Sequence, residues 1–221
     1  CRIRMKPAPL SRFDADYYRR FYLDEETAVV TPEEVELRAA AVYFTARAFD
    51  APIRRVLDVG GGIGLWASAL KRLDPKIHYT LLEPSPSAVA IAKAQRGKDI
   101  DAIVQQGFLE WRGGEKGFDL VLCAGVVQYF DDKSTRSALH RLARLTRYVL
   151  FFETFTKEDV DERRIDARSD DGFARPASFY LRALRRRGFV HMGASLFFRD
   201  KAIPVMPWEI DRGASADIRN G

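Results

Sequence analysis

The sequence has little of what stabilises secreted proteins or carries proteins into membranes. Its 221 residues contain two cysteines, Cys1 and Cys123, and three histidines. Two cysteines so placed argue against a disulfide framework or a zinc site, and they are typical of the reducing cytoplasm. No apolar run approaches the roughly 20 residues of a membrane span, and none follows the basic N-terminus as in a signal peptide. We therefore expect a cytoplasmic protein that binds no metal and no membrane.

The positive charge is carried mostly by arginines that are spread along the chain. The formal net charge is +5 at pH 7 and the isoelectric point is about 9.3. The densest runs are Arg141, Arg144 and Arg147, and then Arg182, Arg185, Arg186 and Arg187. Their three-residue spacing is typical of exposed helix faces. No aromatic residues interleave with them, as a platform for single-stranded nucleic acid requires, so the pattern favours solvated faces over a nucleic-acid surface.

The first 50 residues predict a helical segment ahead of the main domain. Residues 11–50 have a helical pattern, and Thr31-Pro32-Glu33-Glu34 combines a capping threonine, a proline at the first position and a capping-box glutamate. The earlier stretch 13–22 is rich in aromatic residues. We expect residues 1–50 to form a lid over a domain spanning 51–210, and residues 211–221 to be a flexible tail.

Strand-like and helix-like segments alternate after residue 50. The predicted strands are 55–59, 79–82, 102–105, 119–124 and 148–153. Helices are predicted from the glycine turn to about Leu73, and at 85–95, 133–146 and 176–187, whereas 154–175 has an irregular pattern. A terminal hairpin is predicted from 193–198 and 202–208 around a turn at 199–201. The order predicts an α/β fold, a doubly wound and mostly parallel sheet with an antiparallel C-terminal strand, which binds ligands at the carboxyl ends of its strands.

The most informative segment is Val56-Leu57-Asp58-Val59-Gly60-Gly61-Gly62-Ile63-Gly64. An apolar strand carries a carboxylate near its end and continues into glycines, which let a ligand approach the backbone and the free N–H groups of the next helix. Asp58, Gly60, Gly62 and Gly64 match in full the Asp/Glu-x-Gly-x-Gly-x-Gly motif of the class I S-adenosylmethionine-dependent methyltransferases. The chain resembles that family here, and the resemblance implies a Rossmann-like fold of seven strands.

A dinucleotide-binding site is the competing interpretation of the same glycines. Residues 62–67 fit the pattern Gly-x-Gly-x-x-Gly/Ala. In dinucleotide folds, however, the first glycine directly follows the strand, and Trp66 would crowd a helix that packs closely below a pyrophosphate. The methyltransferase interpretation is therefore favoured over a nicotinamide-dependent oxidoreductase.

Three later segments extend the resemblance to residues 50–155. Glu83, followed by Pro84, ends the second strand and can accept hydrogen bonds from both ribose hydroxyls. Gly107 stands where the family usually has the aspartate that binds adenine, so the resemblance leaves that contact to backbone groups, with Phe108 against the ring. After the fourth strand, the family's loop lines the methionine end of the cofactor. By that resemblance, the loop residues assigned to the cofactor are Gly125, Val126 and Gln128.

Candidates for the acceptor side come from loops at the same edge of the sheet. Tyr18, with Tyr17 and Tyr22, belongs to the aromatic stretch that is expected to cover the site. Glu153 ends the fifth strand, and Arg168 and Asp170 lie in the segment after it. Arg168 could clamp a carboxylate or phosphate, or it could pair with Asp170 to brace the loop. His191 is a weaker candidate for a base.

The resemblance implies transfer of the methyl group of S-adenosylmethionine to a nucleophilic O, N or C of a small molecule by in-line displacement, with S-adenosylhomocysteine as the product. A protein or RNA methyltransferase and a non-catalytic S-adenosylmethionine-binding partner are the alternatives. The sequence lacks the Asn-Pro-Pro-Tyr-like motif of enzymes that methylate amino groups of bases, which disfavours that branch. A homodimer is left open, and nucleic acid is not the expected partner.

Overall fold

The structure is a computed structural model that describes residues 10–24, 26–162 and 172–201. Arg168 and Asp170, the predicted tail, and the second strand of the predicted hairpin lie outside the described residues. None of the helices in the described ranges is long and apolar enough to cross a membrane. The described residues also contain no group of His, Cys, Asp and Glu side chains that could hold a metal ion.

A seven-stranded sheet forms the centre of the fold. The strands are β1 (Arg55–Val59), β2 (His78–Leu82), β3 (Ala102–Val104), β4 (Phe118–Ala124), β5 (Thr146–Glu153), β6 (Phe189–Gly193) and β7 (Leu196–Arg199). They lie in the order β3-β2-β1-β4-β5-β7-β6, and β7 alone runs antiparallel to its neighbours. This arrangement confirms the predicted α/β fold with an antiparallel C-terminal strand.

Helices cover both faces of the sheet. They are α1 (Ala15–Tyr18), α2 (Pro32–Ala48), α3 (Leu65–Leu73), α4 (Pro86–Arg96), α5 (Asp132–Leu145), α6 (Lys157–Asp161) and α7 (Ala177–Arg185). Apolar residues of α2 and α3 pack on one face, and those of α5 and α7 pack on the other. Because both faces are covered, β4 is buried along nearly its whole length, as expected for a central parallel strand.

The predicted start of α2 is confirmed in detail. The Thr31 side chain accepts from the Glu34 backbone N–H, and the Glu34 carboxylate accepts from the Thr31 N–H. These two bonds satisfy backbone donors that the first turn of a helix leaves without partners.

Three boundary predictions are wrong. The helical pattern over 11–50 is broken into short turns, with α1 followed by a π-helix at Arg19–Leu23, before α2 begins at Pro32. The irregular stretch 154–175 contains α6, which a capping box at Thr156 begins. The terminal hairpin lies earlier than predicted, because Ala194 and Ser195 adopt positive φ angles of 46° and 63° and make the turn. A turn of that kind favours the right-handed twist of a hairpin.

Candidate functional site

The glycine loop after β1 meets Glu83 and the loop after β4 at the carboxyl edge of the sheet, and we refer to the region between them as the cleft. Gly60, Gly62 and Gly64 have φ angles of 64°, 57° and 76°, values that side chains rarely adopt. A Cβ atom at Gly60 would lie 2.5 Å from Cγ2 of Val126, in the loop after the neighbouring strand β4. The two loops therefore approach each other as closely as a backbone without side chains permits, at the point where the strand order reverses.

Asp58 lies below the glycine loop and is 3% exposed. Its carboxylate accepts a short hydrogen bond from the hydroxyl of Tyr79 on β2 and packs against Gly61. Burial raises the pKa of Asp58 to about 7, the negative charge of Glu83 adds to this rise, and the Tyr79 bond opposes it. Asp58 therefore changes its charge near neutral pH, and a positive charge nearby would favour its ionised form.

Glu83 stands beside the glycine loop at the end of β2. Its Oε2 atom accepts from the Gly62 N–H at 2.9 Å, and Oε1 accepts from the Ser85 N–H at 2.8 Å. The Tyr18 hydroxyl donates to Oε1 at 3.5 Å. Burial raises the pKa of Glu83, whereas the hydrogen bonds from Ser85 and Gly62 oppose that rise. Pro84 follows Glu83 and leads to Ser85, which caps α4 through the Ala88 N–H.

The loop after β4 forms the opposite wall of the cleft. The N–H of Gly125 donates to the Glu153 carbonyl at 2.9 Å, which ties this loop to the end of β5. Gln128 is buried, and its Oε1 accepts from the Thr154 hydroxyl at 3.0 Å. The side chain of Val126 faces Gly60. These contacts bring Gly125, Val126 and Gln128 to the same edge of the sheet as the glycine loop.

An aromatic segment, residues 10–24, lies over the cleft from the N-terminal side. Ser85 donates its hydroxyl to the Phe13 carbonyl at 2.6 Å. The Phe13 ring contacts the Tyr129 ring edge to face, with centroids 5.2 Å apart. Tyr18 is 4% exposed and packs with Ile63. A Cβ atom on Gly62 would lie 3.4 Å from its ring. The segment thus covers the glycine loop and contacts both Ser85 after β2 and Tyr129 after β4.

Comparison with known proteins shows which families and structures the chain is similar to. Residues 56–148 match the family model described as a methyltransferase domain. This central part of the chain, from β1 into β5, is therefore similar to a methyltransferase domain. No curated protein matches the sequence of the chain.

Solved structures of methyltransferases share the fold of this chain. Magnesium protoporphyrin IX methyltransferase from Synechocystis, with bound S-adenosylmethionine, has a TM-score of 0.61 at 17% identity over 83% of this chain and 90% of its own. N-methyltransferase NodS from Bradyrhizobium japonicum, in complex with S-adenosylhomocysteine, has a TM-score of 0.58 at 16% identity over 87% and 99%. The plantazolicin methyltransferase BpumL, also with S-adenosylhomocysteine, has a TM-score of 0.54 at 14% identity over 80% and 63%.

The fold brings most of the predicted cofactor residues to one cleft, but Phe108 lies apart. Phe108 is 5% exposed and packs in the core on the α5 side of the sheet, with the Arg141 guanidinium 5.4 Å above its ring. Gly107 precedes it, and a Cβ atom there would collide with the Glu110 carboxylate. The adenine contact assigned to these two residues stays a prediction.

The acceptor-side candidates are not all at one place in the fold. Glu153 pairs with Arg38 of α2 at 3.2 Å, and both side chains are roughly half exposed (42% and 44%). Tyr18 contacts Glu83, so it lies on the cofactor side of the cleft. His191 stacks on Phe197 on β7 with ring centroids 4.6 Å apart. Arg168 and Asp170 cannot be placed among these contacts because they are not among the described residues.

Sequence reasoning missed two residues that contact the site: Tyr79 donates to Asp58, and Ser85 donates to the Phe13 carbonyl. Tyr129, which the sequence leaves open between the loop after β4 and the core, contacts the aromatic segment. Only Ser85 carried a usable signal, because a serine followed by proline is typical of a helix start. Tyr79 belongs to the apolar alternation that is expected of any buried strand. Its contact with Asp58 follows from the β1–β2 register, in which Asp58 pairs with Leu81.

Proposed function

We propose that this protein transfers a methyl group from S-adenosylmethionine to a small molecule held below the aromatic segment, at a nucleophilic O, N or C atom. The observation that carries the proposal is the cleft between the glycine loop, Glu83 and the Tyr18 ring. Two of the structural neighbours are named for a porphyrin and for plantazolicin, which supports a small acceptor.

The residues of the cleft fit the cofactor in chemistry and in shape. Glu83 offers carboxylate oxygens to the ribose hydroxyls. Gly62 has a positive φ angle and lies against the Tyr18 ring, so its Cα face becomes available to a ligand when that ring moves. Gly60 and Gly64 keep the loop compact, and Asp58 stabilises that loop from below. We assign the methionine end to Gly125, Val126 and Gln128, and the adenine end to Pro84 and Gly107; Phe108, which packs in the core, is left out of this assignment.

S-adenosylmethionine supplies a sulfonium methyl group that a positioned nucleophile displaces. The protein's own residues bind, orient and exclude water, which can contribute on the order of 7–11 kcal/mol when both reactants are held in line. Asp58 and Glu83 place negative charge in the cleft, and this charge favours a cationic ligand over a neutral one.

The acceptor is assigned to the space between the aromatic segment and the loop that carries Tyr129. Burial raises the pKa of Tyr17 well above its usual range and, with the neighbouring Tyr129, raises that of Tyr22 to about 12. These phenols stay protonated at neutral pH, so they orient an acceptor and do not act as its base. Glu153, Arg168 and Asp170 complete the acceptor-side assignment.

Calorimetric titration with S-adenosylmethionine, S-adenosylhomocysteine and NAD in turn tests the proposal. We expect micromolar binding of the first two and none of NAD, after which small-molecule acceptors are screened with radiolabelled methyl donor. Binding of NAD alone would overturn the cofactor assignment. Binding of S-adenosylmethionine without turnover on any acceptor would favour a non-catalytic partner protein.

An RNA or protein acceptor is the second candidate, and the charge distribution favours it. Residues 132–145 carry four basic residues and one acidic residue, and 177–187 carry four basic residues and no acidic one. Their combined net charge of +7 exceeds the +5 of the chain, so the other residues together have −2. Within the described ranges, Arg136, Arg144 and Arg182 form no ion pair. Methyl transfer to total RNA, with small molecules inert, would establish this candidate.

The reducing cytoplasm is the location that we propose for the protein. Cys123 is a free and fully buried thiol on β4, and burial raises its pKa far above the usual range. Such a thiol is inert and behaves as a small apolar side chain. Fractionation of cells that express the protein from its own gene would test the location.

A further inference from the structure

The Tyr18 hydroxyl donates to the carboxylate that the ribose needs. We propose that Tyr18 is a positioning residue that competes with the ribose for Oε1 of Glu83 and thereby couples the aromatic segment to occupancy of the cofactor site. This inference rests on the proposed role of Glu83 as the ribose ligand. It adds to that role a residue from the other end of the cleft, 65 positions earlier in the chain.

Counting the acceptor positions of Glu83 shows the competition. An ionised carboxylate offers about four lone-pair positions, two on each oxygen. Oε2 accepts one bond, from the Gly62 N–H, and keeps one position open. Oε1 accepts two bonds, from the Ser85 N–H and the Tyr18 hydroxyl, and keeps none. Two ribose hydroxyls bound in a bidentate way need one position on each oxygen, so one donor must leave Oε1.

Tyr18 is the donor that can leave. The Ser85 N–H belongs to the backbone at the N-terminus of α4, and its bond to Oε1 spans only two residues. The Tyr18 bond, at 3.5 Å, is at the long limit for a hydrogen bond and is the weaker of the two. Tyr18 also ends the one-turn helix α1, directly before the π-helix at Arg19–Leu23. Short π-helical turns are frequent at functional sites.

The aromatic segment has other anchors on the cleft. Ser85 donates to the Phe13 carbonyl, the Phe13 ring contacts Tyr129, and the Tyr17 hydroxyl is hydrogen-bonded to Tyr129. Movement of Tyr18 away from Oε1 breaks the long bond to Glu83 and disturbs its contacts with Ser85 and Ile63, but it leaves these anchors in place. When the product leaves, the Tyr18 hydroxyl can return to Oε1. Tyr18 thus lowers the affinity for the product as well as for the methyl donor.

Replacing Tyr18 by phenylalanine removes the competing donor and keeps the ring that covers Gly62. We expect the Kd of S-adenosylhomocysteine in the Tyr18→Phe variant to fall by about two- to tenfold, the range of one net hydrogen bond. Stopped-flow kinetics should show that much of this fall in Kd comes from faster association. Tyr43→Phe is the matched control, because its hydroxyl donates to Asp74 at 3.3 Å, away from Glu83. Its Kd should equal that of the wild type.

A double-variant cycle separates competition from a general loosening of the segment. In a Glu83→Gln background, adding Tyr18→Phe should leave the Kd of S-adenosylhomocysteine within about twofold of the Kd of the Glu83→Gln single variant. Unchanged or weaker binding by Tyr18→Phe in the wild-type background would overturn the inference. Circular dichroism and urea unfolding check that Tyr18→Phe keeps the fold of the wild type. A wild type that does not bind S-adenosylhomocysteine would refute the proposed function and this inference together, whereas binding without a Tyr18 effect refutes the inference alone.

Discussion

Replacing Asp58 by asparagine removes a charge that the fold holds in an unfavourable place. Asp58 is 3% exposed, and its pKa is raised from 3.8 to about 7 by burial, with a further contribution from Glu83. The rise of about 3 pKa units corresponds to about 4 kcal/mol at 1.36 kcal/mol per unit. This is the upper value for the cost of keeping the group ionised in the folded chain.

The sign of the pH dependence follows from the direction of this shift. Below about pH 4 the Asp58 carboxyl group is protonated in both folded and unfolded chains, and its full contribution to stability is present. Between about pH 4 and pH 7 the unfolded chain loses this proton first, so the free energy of unfolding falls as the pH rises. Above pH 7 the whole contribution is lost. The asparagine variant has no such group and lacks this part of the slope.

We expect Asp58→Asn to raise the free energy of unfolding at pH 8 by about 1–3 kcal/mol, since its oxygen can still accept from Tyr79 while its amide protons need a new acceptor. Binding of S-adenosylmethionine should weaken because negative charge is lost from the cleft. Urea unfolding at pH 5 and pH 8 measures the first effect, and calorimetry measures the second.

Asp74 is a suitable control, because its pKa is shifted in the opposite direction to that of Asp58. Hydrogen bonding from the Lys76 N–H lowers the pKa of Asp74, and Arg54 adds to this effect. Asp74→Asn should therefore remove stability that is present at pH 8 and lost in acid. If Asp58→Asn is less stable than the wild type at pH 8 by more than about 1 kcal/mol, or if it keeps the wild-type slope between pH 5 and pH 8, the electrostatic argument is wrong.

Three further substitutions test the cleft and its surroundings. Gly62→Arg should abolish binding of S-adenosylmethionine with the fold largely intact, since its side chain would enter the cleft beside Tyr18; unchanged affinity by calorimetry would contradict the site. Glu83→Gln should weaken S-adenosylhomocysteine binding at least about tenfold, because one acceptor oxygen becomes a donor; circular dichroism checks the fold. Glu153→Gln should change the free energy of unfolding by less than about 1 kcal/mol, because its pair with Arg38 is half exposed; a larger loss in urea unfolding would show that this pair is structurally essential.

The sequence predicts the glycine loop well because the conformation of this loop depends on neighbouring residues. Asp58 and the glycines that follow belong to one strand and turn, so their positions depend on residues within one short segment. The positive φ angles at Gly60, Gly62 and Gly64 are what glycine spacing in such a turn implies. Glu83 could be placed by the same reasoning, since the carboxyl ends of neighbouring parallel strands meet at one edge.

Contacts between distant segments could not be predicted in this way. Tyr18 meets Glu83 across 65 residues, and Arg38 meets Glu153 across 115. The π-helical turn at Arg19–Leu23 determines which aromatic side chains of the N-terminal segment face the cleft. No periodic pattern in the sequence predicts such a turn. The hairpin was misplaced because the residues that take positive φ angles, Ala194 and Ser195, are not the usual Gly or Asn of tight turns.

The position of β7 has a consequence for how the protein is made. This strand fills the gap between β5 and β6, yet it is the last strand of the described residues to leave the ribosome. Arg199 follows Glu153 by 46 residues, so at 5–20 residues per second the edge of β5 has no partner for roughly 2–9 s. An apolar strand edge that is open for this time can pair with another chain. Truncation before Leu196 should therefore produce aggregates during synthesis, and a nascent chain stalled there should be a substrate for chaperones.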